Sequence, residues 1–174
     1  MTRSRLVLLD TNVVLRLFEL GIWQAVTQRY QIVLAQTVID ESQFFTRDDQ
    51  RHDIEWGPIL ASGEVEVRSA AAADVAKFCG RFDRNYLEKL DPGEAESLTL
   101  MQQETQASIC SADKIVWRVL GNTGQGERGV SLEELLQHIG LTKGLPDRFS
   151  KRFREKWTKG GGADQLWGYG DRGT

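Results

Sequence analysis

The stretch Leu6-Val7-Leu8-Leu9-Asp10-Thr11-Asn12 decides the fold, because a short apolar run ends abruptly in three polar residues. This pattern is typical of a buried β-strand with a polar group at its carboxyl end. Three further short segments have strand character, and helical spacing fills the gaps between them. They are Gln31–Ala35, Glu64–Arg68 and Ala107–Cys110. The alternation predicts an α/β fold with a central parallel sheet of about four or five strands, flanked by helices on both faces.

Helix signals occupy the segments between these strands. The strongest is Asp91-Pro92-Gly93-Glu94, in which Asp91 can cap a helix, Pro92 suits its first turn and Glu94 completes a capping box. Ser131-Leu132-Glu133-Glu134 is a second capping box. We expect the charged segment Arg47–Asp53 to be a loop. The other predicted helices are Val13–Leu20, a helix capped by Thr37 that reaches Phe45, Ala70–Leu87 capped by Ser69, and Lys114–Leu120.

The charge of the chain is unevenly distributed. Its 174 residues have a formal net charge of −3, which argues against a general nucleic-acid coat protein. The segment Lys143–Lys159, however, contains seven basic residues and only two acids. We therefore predict a domain over residues 1–142, a basic amphipathic helix over 143–159 and a Gly-rich tail over 160–174, with Gly160–Gly162 as a hinge. The apolar runs are too short for a membrane span and the two cysteines have no metal-ligand spacing, so we expect a cytoplasmic protein with free thiols and no membrane partner.

Five carboxylates are placed so that the predicted elements bring them near one edge of the sheet. Asp10 follows the first strand and Asp113 the fourth, and ligands of open parallel sheets bind outside the carboxyl ends of the strands. Glu41 lies on the helix after the second strand, and Glu94 and Glu96 begin the helix that leads into the fourth. Carboxylates this close need a cation, and oxygen ligands favour Mg²⁺ or Mn²⁺. Such an ion supplies a nucleophilic water and neutralises charge on a phosphate, so the pattern predicts a metal-dependent phosphodiesterase.

Each acid also has a purely structural interpretation. Asp10 and Asp113 suit turns or helix caps, because an Asp side chain accepts hydrogen bonds from free backbone N–H groups. Glu94 suits the capping box, and Glu41 suits the solvated surface of a helix. The coincidence of four acid-bearing segments at one edge favours a functional site over four unrelated structural roles.

Four motifs, in this order, resemble those of the PIN-domain family. Leu6–Val13 is similar to the family's opening strand, which ends in Asp-Thr-Asn or Asp-Thr-Ser. Gln36–Glu41 resembles the second motif, and Gly93-Glu94-Ala95-Glu96 resembles the helix start of one subgroup. Ser111-Ala112-Asp113 resembles the last motif, in which Thr or Ser stands two residues before the final Asp. The resemblance covers Arg5–Ile139.

The resemblance implies a PIN fold and a Mg²⁺- or Mn²⁺-dependent ribonuclease that acts on RNA. The catalytic and metal-binding acids that it implies are Asp10, Glu41, Glu96 and Asp113. Glu94 competes with Glu96 as a metal ligand, and we favour Glu96 because Glu94 has the capping role. The third acid is often Asp in the family, where this chain has Glu. Residues expected to orient the acids are Thr11, Asn12 and Ser111.

Partners follow from the same resemblance. Many PIN proteins are the toxin of a toxin–antitoxin pair, and many dimerise, so an antitoxin protein and a homodimer are expected. The extension beyond Thr142 departs from a minimal toxin. An alternative is a catalytically inactive PIN-like module that binds RNA or protein, although such a module has no reason to keep four acids. A phosphatase is a poorer fit, because the loop Gly121–Gly129 lacks the Gly-Lys-Ser/Thr ending of a phosphate loop.

The basic segment combines positive charge with an apolar stripe. Leu145, Phe149, Phe153 and Trp157 recur every four residues, as on one face of a helix. The basic residues on its other faces, which are candidates for nucleic-acid binding, are Arg148, Lys151, Arg152 and Arg154. Three interpretations stay open: a helix docked on the core with a solvated basic face, a surface that contacts RNA phosphates, or a helix that fills a groove in a partner.

Overall fold

The computed structural model describes residues 5–173, so residues 1–4 and 174 of the predicted domains lie outside the described residues. The strands are β1 (Leu6–Leu9), β2 (Gln31–Ala35), β3 (Phe44–Arg47), β4 (Gln50–Asp53), β5 (Val65–Arg68) and β6 (Ser108–Cys110). The α-helices are α1 (Thr11–Glu19), α2 (Trp23–Thr27), α3 (Gln36–Glu41), α4 (Trp56–Ala61), α5 (Ala72–Cys79), α6 (Arg84–Leu87), α7 (Pro92–Gln103), α8 (Lys114–Asn122), α9 (Leu132–His138) and α10 (Lys151–Leu166). Within residues 5–173 no helix combines the length and the apolar character that crossing a bilayer requires.

The core of the fold is a parallel sheet with the strand order β5-β2-β1-β6. Val7, Leu8 and Leu9 of β1 are each at most 1% exposed, so side chains on both faces of this strand are covered. Continuous burial of this kind is typical of parallel sheets packed between helices. The predicted α/β class and the parallel sheet flanked by helices are therefore confirmed, with four strands in the sheet.

The register of the two central strands places the first and last acidic motifs side by side. Leu9 of β1 is paired with Cys110 of β6, and both strands end there. The next residue, Asp10, continues the pairing by donating its N–H to the carbonyl of Cys110 at 3.1 Å. Because the strands are parallel, the chain leaves both of them at the same edge of the sheet. Asp10 and the segment Ser111–Asp113 therefore start from adjacent positions.

The segment after α3 differs from the prediction. α3 ends before Phe45, and Arg47–Asp53 is not a loop, because β3 and β4 form an antiparallel hairpin. Asp48 and Asp49 form its turn with φ angles of 51° and 58°. Positive φ angles at both central residues are typical of type I′ hairpin turns, and Asp tolerates this left-handed conformation better than most residues. The ring of Phe45 stacks against Phe18 of α1, which anchors the hairpin.

The long helix predicted over Ala70–Leu87 is two helices, α5 and α6, separated by a bend. α5 begins after Ala71, so Ser69 does not cap it. Asp83 caps α6 by accepting a hydrogen bond from Tyr86 N at 3.2 Å. The second oxygen of Asp83 accepts one from Gly170 N at 2.6 Å, across 87 positions of sequence. The bend is therefore fixed by a distant segment, which helical spacing alone cannot reveal.

The C-terminal region departs most from the prediction. α10 begins at Lys151 rather than at Lys143, so Leu145 and Phe149 precede the helix instead of extending its apolar stripe. The helix then continues through Gly160–Gly162, which is helical and is not a hinge. The predicted boundaries at 143 and at 159–160 therefore do not coincide with the ends of the helix.

A close contact between α8 and α10 explains the glycines in both helices. Gly121 of α8 lies against the backbone of Thr158, and Gly161 of α10 lies against the backbone of Arg118. A Cβ at either glycine would overlap a carbonyl oxygen of the facing helix. Asn122 strengthens the contact by donating a hydrogen bond to the carbonyl of Gly161 at 3.2 Å. α10 is thus a packed layer of the fold and not an appendage.

Gly161→Ala is expected to lower the free energy of unfolding by about 3 kcal/mol, because the added methyl group forces the two helices apart. Gly160→Ala is the matched control, since its Cβ would meet only a ring atom of Trp157 at 4.0 Å. Removing a glycine from a helix without a clash stabilises it by about 0.5–1 kcal/mol. Urea denaturation measures both variants, and equal stability of the two would contradict the close contact.

Candidate functional site

Asp10 lies at the carboxyl end of β1 and is only 4% exposed. Its Oδ1 accepts a hydrogen bond from Val13 N at 3.0 Å, which caps α1. Its Oδ2 accepts hydrogen bonds from the Ser111 hydroxyl and from Ala112 N. Burial raises the pKa of Asp10 to about 6, although these hydrogen bonds lower it in part, and the charge of Asp113 raises it further. Two segments of the chain therefore hold this buried carboxyl group in one orientation.

Asp113 stands next to Asp10 at the start of α8. Its Oδ1 accepts a hydrogen bond from Ile115 N at 3.0 Å and caps the helix. Its own N–H donates to Ser111 Oγ at 3.0 Å. Ser111 therefore links the two acids, because its hydroxyl donates to Asp10 and accepts from the backbone of Asp113.

Glu94 reaches the same place from α7 and is 6% exposed. Its Oε2 accepts a hydrogen bond from Asp91 N at 3.1 Å, and its N–H donates to Asp91 Oδ1 at 2.8 Å, which forms the predicted capping box. Burial raises the pKa of Glu94 well above its usual range; the hydrogen bond from Asp91 lowers it in part, and the charges of Asp113, Asp91 and Asp10 raise it further. The charges of Asp10 and Asp113 thus act on Glu94. We call these three residues the acidic group.

Glu41, the last residue of α3, adjoins the acidic group from the solvent side. Its Oε2 accepts a hydrogen bond from the hydroxyl of Thr11, the residue after Asp10, at 2.7 Å. Its carboxylate also lies over Gly93, where an added Cβ would be 2.9 Å from Oε2. Because Gly93 immediately precedes Glu94, the absence of a side chain there lets Glu41 approach the first turn of α7. Thr11 is the residue that orients Glu41.

Glu96 points elsewhere, since residues two apart on a helix lie about 200° apart around its axis. Its Oε2 accepts hydrogen bonds from Thr37 N at 3.0 Å and from the Thr37 hydroxyl, and its Oε1 accepts one from Ala70 N at 3.0 Å. Thr37 does not cap α3 as predicted; it lies in the first turn, and the distant Glu96 supplies the acceptor. Glu96 therefore joins α7 to α3 and to the segment before α5, and both its oxygens are engaged in doing so.

Three helix N-termini surround the acidic group. Asp10 caps α1, Asp113 caps α8, and Glu94 lies in the first turn of α7. The N-terminus of a helix carries a partial positive charge, which offsets repulsion among the carboxylates. Asn12 lies in the first turn of α1, but within residues 5–173 its side chain makes no hydrogen bond, so no orienting contact can be assigned to it.

The acids offer oxygen ligands, but they do not form a complete coordination shell for a metal ion. In the described part of the chain, one oxygen each of Glu41, Glu94 and Asp113 accepts no hydrogen bond. Such oxygens fit Mg²⁺ or Mn²⁺ better than the nitrogen and sulfur ligands of zinc sites. Across residues 5–173, however, no three acidic, histidine or cysteine side chains converge closely enough to enclose an ion. A bound ion would need water to complete its coordination, as Mg²⁺ usually does.

Four segments of the chain thus deliver Asp10, Glu41, Glu94 and Asp113 to one edge of the sheet. No family model, curated protein or solved structure matches the chain. The function is therefore inferred from the chemistry of these residues and from the resemblance of their motifs.

The four basic residues expected to contact RNA are mostly paired with acids. Arg154 has a side chain only 13% exposed and holds both carboxylate oxygens of Glu134 at 2.8 Å. Arg148 lies over the ring of Phe149 at 4.9 Å and, among residues 5–173, has no carboxylate partner. The other two pairs are Arg152 with Asp147 at 2.5 Å and Lys151 with Glu155 at 3.6 Å. The predicted basic surface is therefore largely neutralised within the protein.

Two features near this edge were not predicted from the sequence. Gly93 makes room for Glu41, and Lys114, directly after Asp113, places its ammonium group 4.8 Å from the centre of the Trp157 ring. The sequence signal that could have identified Lys114 is its position directly after the motif that ends in Asp113.

Open cavities of about 530 and 540 Å³ lie at the opposite edge of the sheet. Arg5 lines both of them, together with Tyr30 in one and Gln31 in the other. They lie away from the acids, so chemistry rather than cavity size identifies the candidate site.

Proposed function

We propose that this chain is a divalent-metal-dependent endoribonuclease of the PIN kind, which hydrolyses phosphodiester bonds of RNA. The observation that carries the proposal is the convergence of Asp10, Glu94 and Asp113 from three separate segments, with Glu41 beside them. Carboxylates that raise one another's pKa are costly to a fold, and a divalent cation removes that cost. The order of the motifs, which resembles that of PIN domains, supports the same conclusion.

Within this proposal the acids are Asp10, Glu41, Glu94 and Asp113, and Glu94 replaces Glu96 as the third acid. Glu94 keeps an oxygen without a hydrogen bond in the described chain and lies within reach of the charges of Asp10 and Asp113. Glu96 has committed both oxygens to Thr37 and Ala70. The sequence favours Glu96 because Glu94 has a role in the capping box. That role uses only one carboxylate oxygen of Glu94, so it is compatible with metal binding by the other.

In this proposal, each group of residues has a distinct role in hydrolysis. Asp10, Glu41, Glu94 and Asp113 would hold Mg²⁺ or Mn²⁺ at the edge of the sheet, and the bound ion would supply a nucleophilic water and neutralise charge on the phosphate. Ser111 and Thr11 fix the orientation of two of these carboxylates through their hydroxyl groups. The oxygen of water would bond to phosphorus as the bond from phosphorus to the leaving ribose oxygen breaks, and a proton from the water would pass to that leaving oxygen, so no covalent intermediate with the protein forms.

Activity with defined substrates tests the proposal. The purified protein is incubated with Mn²⁺ or Mg²⁺ and with single-stranded RNA, single-stranded DNA or a small phosphomonoester. We expect cleavage of RNA that rises with metal concentration and stops in EDTA. Hydrolysis of the monoester but not of RNA would indicate a phosphatase instead. An antitoxin partner and a homodimer belong to the same proposal, and are tested by co-purification and by light scattering.

A second candidate is a catalytically inactive PIN-like module that binds RNA or protein. One observation favours it: within residues 5–173 no three carboxylates enclose a metal position, and each acid of the acidic group has a structural role, since Asp10 and Asp113 cap helices and Glu94 completes the capping box of α7. RNA binding without cleavage at any metal concentration would establish this alternative.

A further inference from the structure

Two ammonium groups lie over the ring of Trp157 in α10. Lys114 Nζ, from the first residue of α8, is 4.8 Å from the ring centre, and Lys156 Nζ is 5.2 Å from it. A cation at this distance from an indole ring is attracted by the electrons of the ring. Both long side chains are therefore held at the same ring, although their positive charges repel.

In the described part of the chain, neither lysine is paired with a carboxylate, whereas Lys151, Arg152 and Arg154 of α10 are. Asp147 is the acid on which the charge of Lys156 acts. The pKa of Asp147 is lowered first by its hydrogen bond with Arg152 and only to a smaller extent by Lys156. Two exposed positive charges on one ring, neither of them ion-paired within the described residues, can attract an anion, although Asp147 partly offsets the charge of Lys156.

One lysine of this pair, Lys114, lies at the start of α8, beside Asp113 in the chain. Lys114 follows Asp113 directly, so their Cα atoms are about 3.8 Å apart. Lys114 is also the first residue of α8, and the N-terminus of this nine-residue helix favours negative charge. A polyanion that contacts Lys114 would therefore bind near the start of α8, the helix that Asp113 caps.

We propose that Lys114 and Lys156, held by Trp157, bind the backbone phosphates of a single RNA strand beside the bond to be cleaved. This inference rests on the proposed ribonuclease function and names the surface along which its substrate lies. Contacts with phosphates position the strand and do not read its sequence. The strand would extend from the acidic group across the start of α8 towards α10, and not along the ion-paired residues Lys151, Arg152 and Arg154.

The test compares two double variants that remove the same charge. Lys114→Gln with Lys156→Gln alters the proposed surface, whereas Arg5→Gln with Arg29→Gln alters exposed residues before β1 and β2, at the opposite edge of the sheet. Affinity for a short fluorescent single-stranded RNA is measured by anisotropy in EDTA at two salt concentrations, so cleavage does not enter. The lysine variant should bind about tenfold more weakly, and its plot of log K against log salt should be shallower by up to ~1.4 for two lost contacts.

Equal weakening in the two variants, or unchanged affinity in the lysine variant, would overturn the proposal, as would absence of RNA binding by the unaltered protein. Thermal melting checks that both variants are folded. The outcome is separable from the nuclease proposal. RNA binding that depends on the lysines without any cleavage would support this surface and contradict catalysis, while cleavage that is unaffected by the lysines would do the reverse.

Discussion

Asp10→Asn is expected to lower the rate of RNA cleavage by at least ~10³-fold, which corresponds to about 4 kcal/mol of transition-state stabilisation. Asparagine keeps the shape of the side chain and the oxygen that caps α1, but it removes the charge at the centre of the acidic group. It also places an amide N–H₂ opposite Ala112 N, where Asp10 Oδ2 now accepts a hydrogen bond at 3.2 Å. Both metal affinity and the order of the site should therefore fall. Calorimetric titration with Mn²⁺ and single-turnover cleavage measure the two effects.

The same variant should change how stability depends on pH. Burial raises the pKa of Asp10 from its usual 3.8 to about 6, so the folded protein binds this proton more tightly than the unfolded chain does. The stability gained from the protonated form is full below pH 4 and is lost as the pH rises through 6. A shift of about two units is worth about 3 kcal/mol. In EDTA, the free energy of unfolding of the wild type should therefore fall by about that amount, relative to Asp10→Asn, between pH 4 and pH 7.

Asp40→Asn provides the control, because Asp40 precedes Glu41, is exposed and is hydrogen-bonded only to Gln36 within the described residues. It should leave cleavage and the pH profile unchanged. Full activity of purified Asp10→Asn, or a pH profile parallel to that of the wild type, would remove Asp10 from the proposed metal site.

The second large effect separates the two glutamates of α7. Glu94→Gln should reduce cleavage by at least ~10²-fold, about 2.7 kcal/mol, because the proposed site loses a ligand. Its fold should be intact, since the amide oxygen of Gln can still accept the hydrogen bond from Asp91 N. Glu96→Gln should instead leave cleavage unchanged and lower the stability of the fold. One of its two acceptors becomes a donor, so the N–H of Thr37 or Ala70 is left unpaired, at a cost of about 1–3 kcal/mol of stability.

Each glutamate serves as the control for the other, because both changes convert a buried carboxylate of the same helix to an amide. Cleavage at saturating RNA and urea denaturation are measured on both proteins below their melting temperatures. A loss of activity in Glu96→Gln with an unaffected Glu94→Gln would return the third acid to Glu96.

The four strands of the parallel sheet and the two capping boxes could be predicted from the sequence because their signals are local. The run Leu6–Leu9 has its full apolar signal in four residues, and the capping box of Asp91 and Glu94 depends on atoms three residues apart. The edge of the sheet that bears Asp10 and Asp113 followed from the parallel direction of the predicted strands, because both acids come directly after a strand. These features need no knowledge of what packs against them.

The choice between Glu94 and Glu96 could not be made from local signals. It depends on Thr37 and Ala70, which lie 59 and 26 positions away and occupy both oxygens of Glu96. The paired state of Arg154 depends on Glu134 of another helix in the same way. Whether a charged residue is free or engaged is a property of the folded contacts, and composition reports only that the charge exists.

The glycines of α8 and α10 illustrate the same limit. Gly160–Gly162 has the composition of a flexible linker, but only contact with Arg118 reveals that Gly161 is required for close packing. The turn at Asp48 and Asp49 was missed for a related reason, because Asp is a less frequent choice than Asn or Gly where φ is positive.

The glycine contact also orders events during translation. The ribosome makes α8 well before α10, so the surface of α8 around Gly121 stays uncovered while the rest of the chain is being added. A nascent chain that has reached Asn122 already contains Asp10, Glu41, Glu94 and Asp113, yet it lacks the helix that packs on α8. Domains generally fold as units. Because α10 is a packed layer of this fold, the surface of α8 is covered only after Leu166 has been synthesised and α10 has packed against α8.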